Sequence, residues 1–197
     1  MTAQDAIPAT LLLPARTGLP DAIAFLRDAH PRPHWQRHAN YGALAAFWLQ
    51  VHDTLRTHGR ELEQATRDFQ DGRRDAAEFR RFFVPALNGF LQHLDGHHRI
   101  EDGAYFPKFR ALDRRMAAGF DLLDNDHGLI HQALLSSADG ARQMLGALDR
   151  NRDVQRQATD VYAARSGQLL ALLLRHLEDE EDLVIPAMLE HGERRVS

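Results

Sequence analysis

Twelve histidines, 28 carboxylate side chains and no cysteine leave this chain one kind of strong metal chemistry, imidazole nitrogen together with carboxylate oxygen. The spacing of these residues makes that chemistry specific. His52 matches His131 at an offset of 79 residues (131 − 52), and the same ungapped offset carries His97 onto His176, Glu101 onto Glu180, Asp102 onto Glu181 and Pro107 onto Pro186. Apolar positions keep it as well: Leu44 with Leu123, Val51 with Ile130, Leu55 with Leu134, Leu91 with Leu170 and Leu94 with Leu173. A repeat of apolar positions alone would describe packing. This one also repeats His-x-x-x-Glu, each time with a histidine 45 residues before it (97 − 52 and 176 − 131). Two such units facing each other supply nitrogen and carboxylate ligands to a pair of metal ions. Without cysteine, disulfides, thiolate sites and iron–sulfur clusters are excluded.

Residues four apart share a helix face, so His97 with Glu101, His176 with Glu180, and His127 with His131 each point at one spot if the segments are helical. The apolar periodicity predicts that they are. A first helix runs from about Trp35, with Leu44, Phe47, Trp48, Val51, Leu55, Leu62 and Phe69 on one face, to a stop at Gln70-Asp71-Gly72. A second spans about Asp75 to Ala104; Pro85 implies a kink or a start near Val84, and Pro107 an end or a separate turn. A third covers about Met116 to Leu148, with Phe120, Leu123, Ile130, Leu134, Leu135 and Met144 inward. A fourth covers about Asp153 to Ile185, with Val161, Leu169, Leu170, Leu173, Leu174 and Leu177 inward, and Pro186 at its end or at a kink. The first 33 residues carry Pro8, Pro14, Pro20, Pro31 and Pro33, with a short helix expected over Asp21 to Ala29. No strand is legible. The expected architecture is all-α: an antiparallel up-down-up-down four-helix bundle over residues 36–192, with a Pro-rich extension, residues 1–35, packing on it.

A length of 197 residues fits one domain with an extension. The formal charge of −4 offers no basic excess for nucleic acid. No apolar run approaches the ~20 residues of a membrane span, and the start MTAQDAIPATLLLPARTG lacks the pattern of a signal peptide. The expectation is a soluble, cytoplasmic protein.

Four strings now stand in order on four expected helices: VHDTLR with His52, HHRIEDGAYFP from His97 to Pro107, DHGLIH from Asp126 to His131, and HLEDEEDLVIP from His176 to Pro186. Together, over about Phe47 to Leu189, they resemble the hemerythrin-like, HHE cation-binding family. The resemblance implies a four-helix bundle holding a carboxylate-bridged, non-haem pair of iron ions. It implies that His52 and His97 hold one iron, that His127, His131 and His176 hold the other, and that Glu101 and Glu180 bridge them. The histidine pair of the third helix resembles the fuller oxygen-carrier pattern. The long first helix and the Pro-rich start are not part of that pattern. Zinc and manganese accept many of the same donors.

Several residues near these strings carry a second reading. His58 rivals His52, since it lies nearer the centre of the apolar face, while the repeat favours His52. His98 points about 100° away from His97 on a helix and reads as a surface histidine or one that supports a ligand. His93, one turn before His97, reads as a core or supporting group. Trp48 stands where the repeat would place His127, and reads as packing above the site. Asp102 and Glu181 read as solvated, with the holding of a ligand's other ring nitrogen as the alternative. His30, His34, His38 and His191 read as surface groups. The expected function is binding of O₂ or a related small ligand, NO or peroxide, for storage, sensing or detoxification. One alternative is a di-iron enzyme acting on peroxide, NO or ferrous iron. Another is a regulatory or interaction module with a structural metal site. No proton donor or substrate pocket is legible, so no catalytic residue is assigned, and no protein partner is identified.

Overall fold

The computed structural model describes residues 7–197, all of them helix, turn or irregular backbone; the first six residues of the Pro-rich segment lie outside the described residues. The helices are α1 (Ala43–Gln70), α2 (Ala76–Ile100), a π-helical turn (Glu101–Tyr105), α3 (Phe106–Leu112), α4 (Ala117–Ala147) and α5 (Arg152–His191). The four long ones, α1, α2, α4 and α5, pack antiparallel, as the periodicity requires. Their ends follow from local chemistry. Gly72 at φ 72° closes α1 in the left-handed region, with the Arg73 amide donating to Asp68 O at 2.8 Å. Asp75 accepts from the Glu78 amide at 2.8 Å and opens α2, and Asn151 does the same for Val154 at 3.0 Å ahead of α5.

Several sequence expectations need correction. The first helix begins at Ala43, not near Trp35; Arg32–Arg37 is a separate 3-10 helix after Pro31. The true start is capped from far away: Glu193 accepts from the amides of Gly42 (2.9 Å), Leu44 (3.1 Å) and Ala45 (2.8 Å). Asp21 to Ala29 forms turns rather than an α-helix, consistent with the marginal stability of so short a helix. Pro85 neither ends nor restarts α2, and Pro186 lies within α5. Pro107 occupies the first turn of α3, where its missing N–H costs nothing. Phe47 (60% exposed), Leu135 (51%) and Val161 (38%) face outward: the buried stripe of each helix is narrower than its apolar content.

The chain divides into two compact units. The first comprises the chain up to Gln50, Arg99–Leu129 and Leu174–Ser197. Its core gathers Trp35, Trp48, Phe106, Phe109, Phe120 and Met188, with Phe109 and Phe120 stacked at 5.1 Å. Residues 7–42 form a strap that buries Leu13, Leu19, Ala24 and Trp35. Three side-chain-to-carbonyl bonds tie it to α5: Arg175 donates to Thr17 O of the strap at 2.9 Å, and from the strap Arg32 donates to Glu178 O at 2.8 Å and Asn40 to Leu189 O at 2.6 Å. The second unit comprises Val51–His98 and Ile130–Leu173. An aromatic column runs through it: Phe69, Phe79, Phe83 and Tyr162 follow one another at centroid distances of 4.6, 4.6 and 5.2 Å. Among the described residues no helix is long and apolar enough to cross a membrane.

Candidate metal centre

Helix α5 places His176 and Glu180 one turn apart, with His176 Nε2 3.2 Å from Glu180 Oε2. Helix α4 brings in His127, whose Nε2 lies 3.0 Å from His176 Nε2 and 3.6 Å from Glu101 Oε2. Glu101 opens the π-helical turn; there the Phe106 amide bonds to Glu101 O, five residues back. Such wide turns are frequent at functional sites because they re-aim side chains within a continuous helix. All four donors are buried: Glu101 is 2% exposed, His127 5%, His176 and Glu180 0%.

The site's electrostatics favour a cation. Burial, the facing Glu180 and then Asp102 hold the Glu101 carboxyl well above the ordinary carboxylate range, because two buried carboxylates in contact cannot both ionise without a positive charge between them. Burial alone would lower the pKa of His176. Hydrogen bonding and charge from Asp126 and Glu180 outweigh burial and raise it to about 9. For His127, burial wins over the opposing pull of Asp102, so its pKa is lowered and the ring is neutral, as a metal donor must be.

Two sets of buried nitrogen and oxygen atoms lie within 4.8 Å of one another: His98, His127 and His176 in one, and His52, His97, Glu101 and Glu180 in the other. The rings of His52 and His97 stand edge to face at 5.1 Å. His52 is fully buried while its rival His58 is exposed. Six of the seven residues expected from the sequence are thus in one set or the other. His131 is in neither: its side chain is 50% exposed, with Nδ1 3.8 Å from Asp95 Oδ1. His98, expected to point away, is 7% exposed and takes a place beside His127 and His176. The His97-His98 doublet was its signal, since neighbouring histidines on one helix can each enter a different donor group.

The donors are held by a further layer of polar contacts. Trp48 does more than pack, because its Nε1–H donates to Glu180 Oε1 at 2.6 Å. Asp102, exposed along much of its length, reaches His127 Nδ1 at 2.7 Å. Glu181 is buried rather than solvated and is paired with Arg32 at 2.7 Å. Asp126 Oδ2 lies 3.5 Å from His176 Nδ1. Behind it stands Arg16 of the strap, which donates to Asp126 and, through Nε at 2.7 Å, to Asp179; Asp179 also takes Arg175 at 2.6 Å. Sequence reasoning missed Arg16, Asp126 and Asp179. The two aspartates directly precede His127 and Glu180, which was a usable signal; nothing in the periodicity marks Arg16.

Residues 43–188 match the model of the hemerythrin HHE cation-binding domain. The chain belongs to that family. The HHE match spans the long helices from the first residue of α1 to Met188 in α5 and leaves the strap outside. No curated protein and no solved structure matches the chain. The donors present fit the cation this HHE domain implies: imidazole and carboxylate only, buried and convergent, a set suited to iron and shared by zinc and manganese.

Proposed function

We propose that this HHE domain binds two cations, iron in the first instance, and uses them to bind O₂ or a related small ligand such as NO or peroxide. In this reading His98, His127 and His176 would hold one ion, and His52, His97, Glu101 and Glu180 would hold the other. The observation that carries it is the meeting of His127, His176, Glu101 and Glu180 at 3.0–3.6 Å with almost no solvent exposure. Four such groups brought together without a cation would leave buried polar atoms and like charges facing one another, which is costly. A bound iron pair supplies the electrons and the open coordination positions that a small ligand needs.

The residues of the chain do the rest. Trp48 holds one oxygen of Glu180 and leaves the other for the centre. Asp102 and Asp126 face the outer ring nitrogens of His127 and His176, fixing which nitrogen of each ring turns inward. Burial excludes bulk water and any large substrate, which favours a diatomic or peroxide-sized ligand. The test is metal analysis and optical spectroscopy of protein purified without a chelator or an affinity metal column, reduced anaerobically and then exposed to air. About two irons per chain, with bands that appear with O₂ and vanish on its removal, would bear the reading out. Two irons oxidised irreversibly would redirect it to turnover of peroxide, NO or ferrous iron. A folded chain that takes up no metal would refute it.

A further inference from the structure

The geometry points to Arg16 as a positioning residue of the metal centre: by gripping Asp126 it sets the His176 ring, which makes the strap a working part of the site. The inference rests on the metal-centre reading above. Arg16 is 5% exposed, and its side chain, with those of Asp126 and Asp179, is almost wholly removed from solvent. All three nitrogens of its planar fork are used. Nε serves Asp179 at 2.7 Å, Nη2 serves Asp126 Oδ2, and Nη1 spans Leu11 O at 2.7 Å and Asp126 Oδ1 at 3.4 Å. The oxygen that Nη2 holds is the one that faces His176 Nδ1 at 3.5 Å. Arg16 therefore fixes the position of Asp126, Asp126 fixes the rotation of the imidazole, and the imidazole presents Nε2 to Glu180 and His127.

Arg16 and Arg175 stand against Asp126 and Asp179, with Glu178 also on Arg175 at 2.9 Å, behind a donor that binds a cation only as the neutral ring. Removing Arg16 leaves one excess buried negative charge next to His176 and frees Asp126 to turn. Lysine would not substitute, because a single ammonium cannot reach both carboxylates and Leu11 O in the geometry that the guanidinium fork provides. A second strap arginine supplies the comparison. Arg27 also links the strap to α5, pairing with Asp182 at 3.6 Å and donating to Leu19 O at 3.2 Å, outside the chain of contacts from Arg16 through Asp126 to His176.

The experiment is anaerobic titration of the metal-free full chain with Co²⁺, followed by its visible d–d bands, with folding checked by circular dichroism. The wild-type chain should bind about two Co²⁺. Arg16→Gln should remain folded, bind Co²⁺ about 10- to 100-fold more weakly, the range for loss of a group supporting a ligand, and shift the bands. Arg27→Gln should keep the wild-type bands. Should Arg16→Gln not fold, Asp126→Asn keeps the shape of the link and removes its charge, and it should weaken and shift Co²⁺ binding in the same way. Wild-type bands and affinity in Arg16→Gln or Asp126→Asn would overturn the positioning role. So would equal band shifts in Arg16→Gln and Arg27→Gln, since Arg16 would then act only by docking the strap. A wild-type chain that takes no Co²⁺ would instead refute the metal-centre reading itself.

Discussion

Replacing Trp48 by phenylalanine tests how far a single hydrogen bond supports the centre. Trp48 is 5% exposed and Glu180 is fully buried, and the indole N–H meets Oε1 at 2.6 Å. A hydrogen bond to a charged group contributes about 1.5–3 kcal/mol. Loading a cation requires Glu101 to give up the proton that burial and Glu180 help it to hold, so the loaded state is the one in which the carboxylate needs its indole donor most. If most of that bond is specific to the loaded state, its loss weakens binding by roughly 10- to 100-fold, at about 1.4 kcal/mol per decade. The smaller ring also costs about 1–3 kcal/mol of folding stability through lost packing. The two effects must be separated, so affinity is measured by competition with a chromogenic chelator and stability by thermal melting of the metal-free protein. Phe83→Leu serves as the control: it loosens a fully buried ring between Phe79 and Tyr162 and should lower the melting temperature without changing affinity. Wild-type affinity in Trp48→Phe, or an equal loss in Phe83→Leu, would refute the argument.

Three further outcomes are expected. His98→Ala should lower metal stoichiometry or affinity by at least ~10-fold while His131→Ala, at a half-exposed position, stays within about 2-fold of wild type; metal titration decides it, and the reverse order would restore the assignment read from the sequence. The gap in melting temperature between loaded and metal-free protein should widen as pH rises from about 6.5 to about 9. With its pKa raised to about 9, His176 stabilises the metal-free fold fully below its unfolded value of about 6.5 and loses that contribution toward 9, while the competing proton leaves the metal's ligand; a constant gap would contradict this. Burial pushes the Tyr162 hydroxyl up to about 12 against the weaker opposite pull of Ser166 and Ser137, so its contribution to stability holds below pH ~10 and is lost from there to ~12. Tyr162→Phe should flatten that stretch of the alkaline unfolding curve, and an unchanged slope would show that the hydroxyl does not contribute.

Periodicity revealed the four long helices because each must bury one face, and the 79-residue offset singled out five of the seven residues that the structure buries in groups able to hold a metal ion. What it hid has physical reasons. His127 and His131 lie on one face of α4, so their spacing cannot say which sits at the level of the site; the structure buries the first and leaves the second half in solvent. His98 reads as a supporting group because a helix presents one stripe to a point, yet the structure holds two donor groups and the adjacent histidines enter different ones. The π-helical turn at Glu101 leaves no mark on apolar periodicity. Arg16 is separated from its aspartates by 110 and 163 residues, and no local pattern announces a pairing at that range. The start of α1 was misplaced because its cap is supplied by Glu193 instead of by a neighbour.

That distant cap sets an order for biosynthesis. Gly42 and Glu193 are separated by 151 residues, so at ~5–20 residues per second the ribosome makes the first turn of α1 roughly 8–30 s before the carboxylate that completes it. Trp48 belongs to that early segment, while its partner Glu180 also comes late. The nascent chain therefore holds His52, His97 and Glu101 before His176 and Glu180 exist. In the proposed reading, loading of the metal centre follows the synthesis of α5.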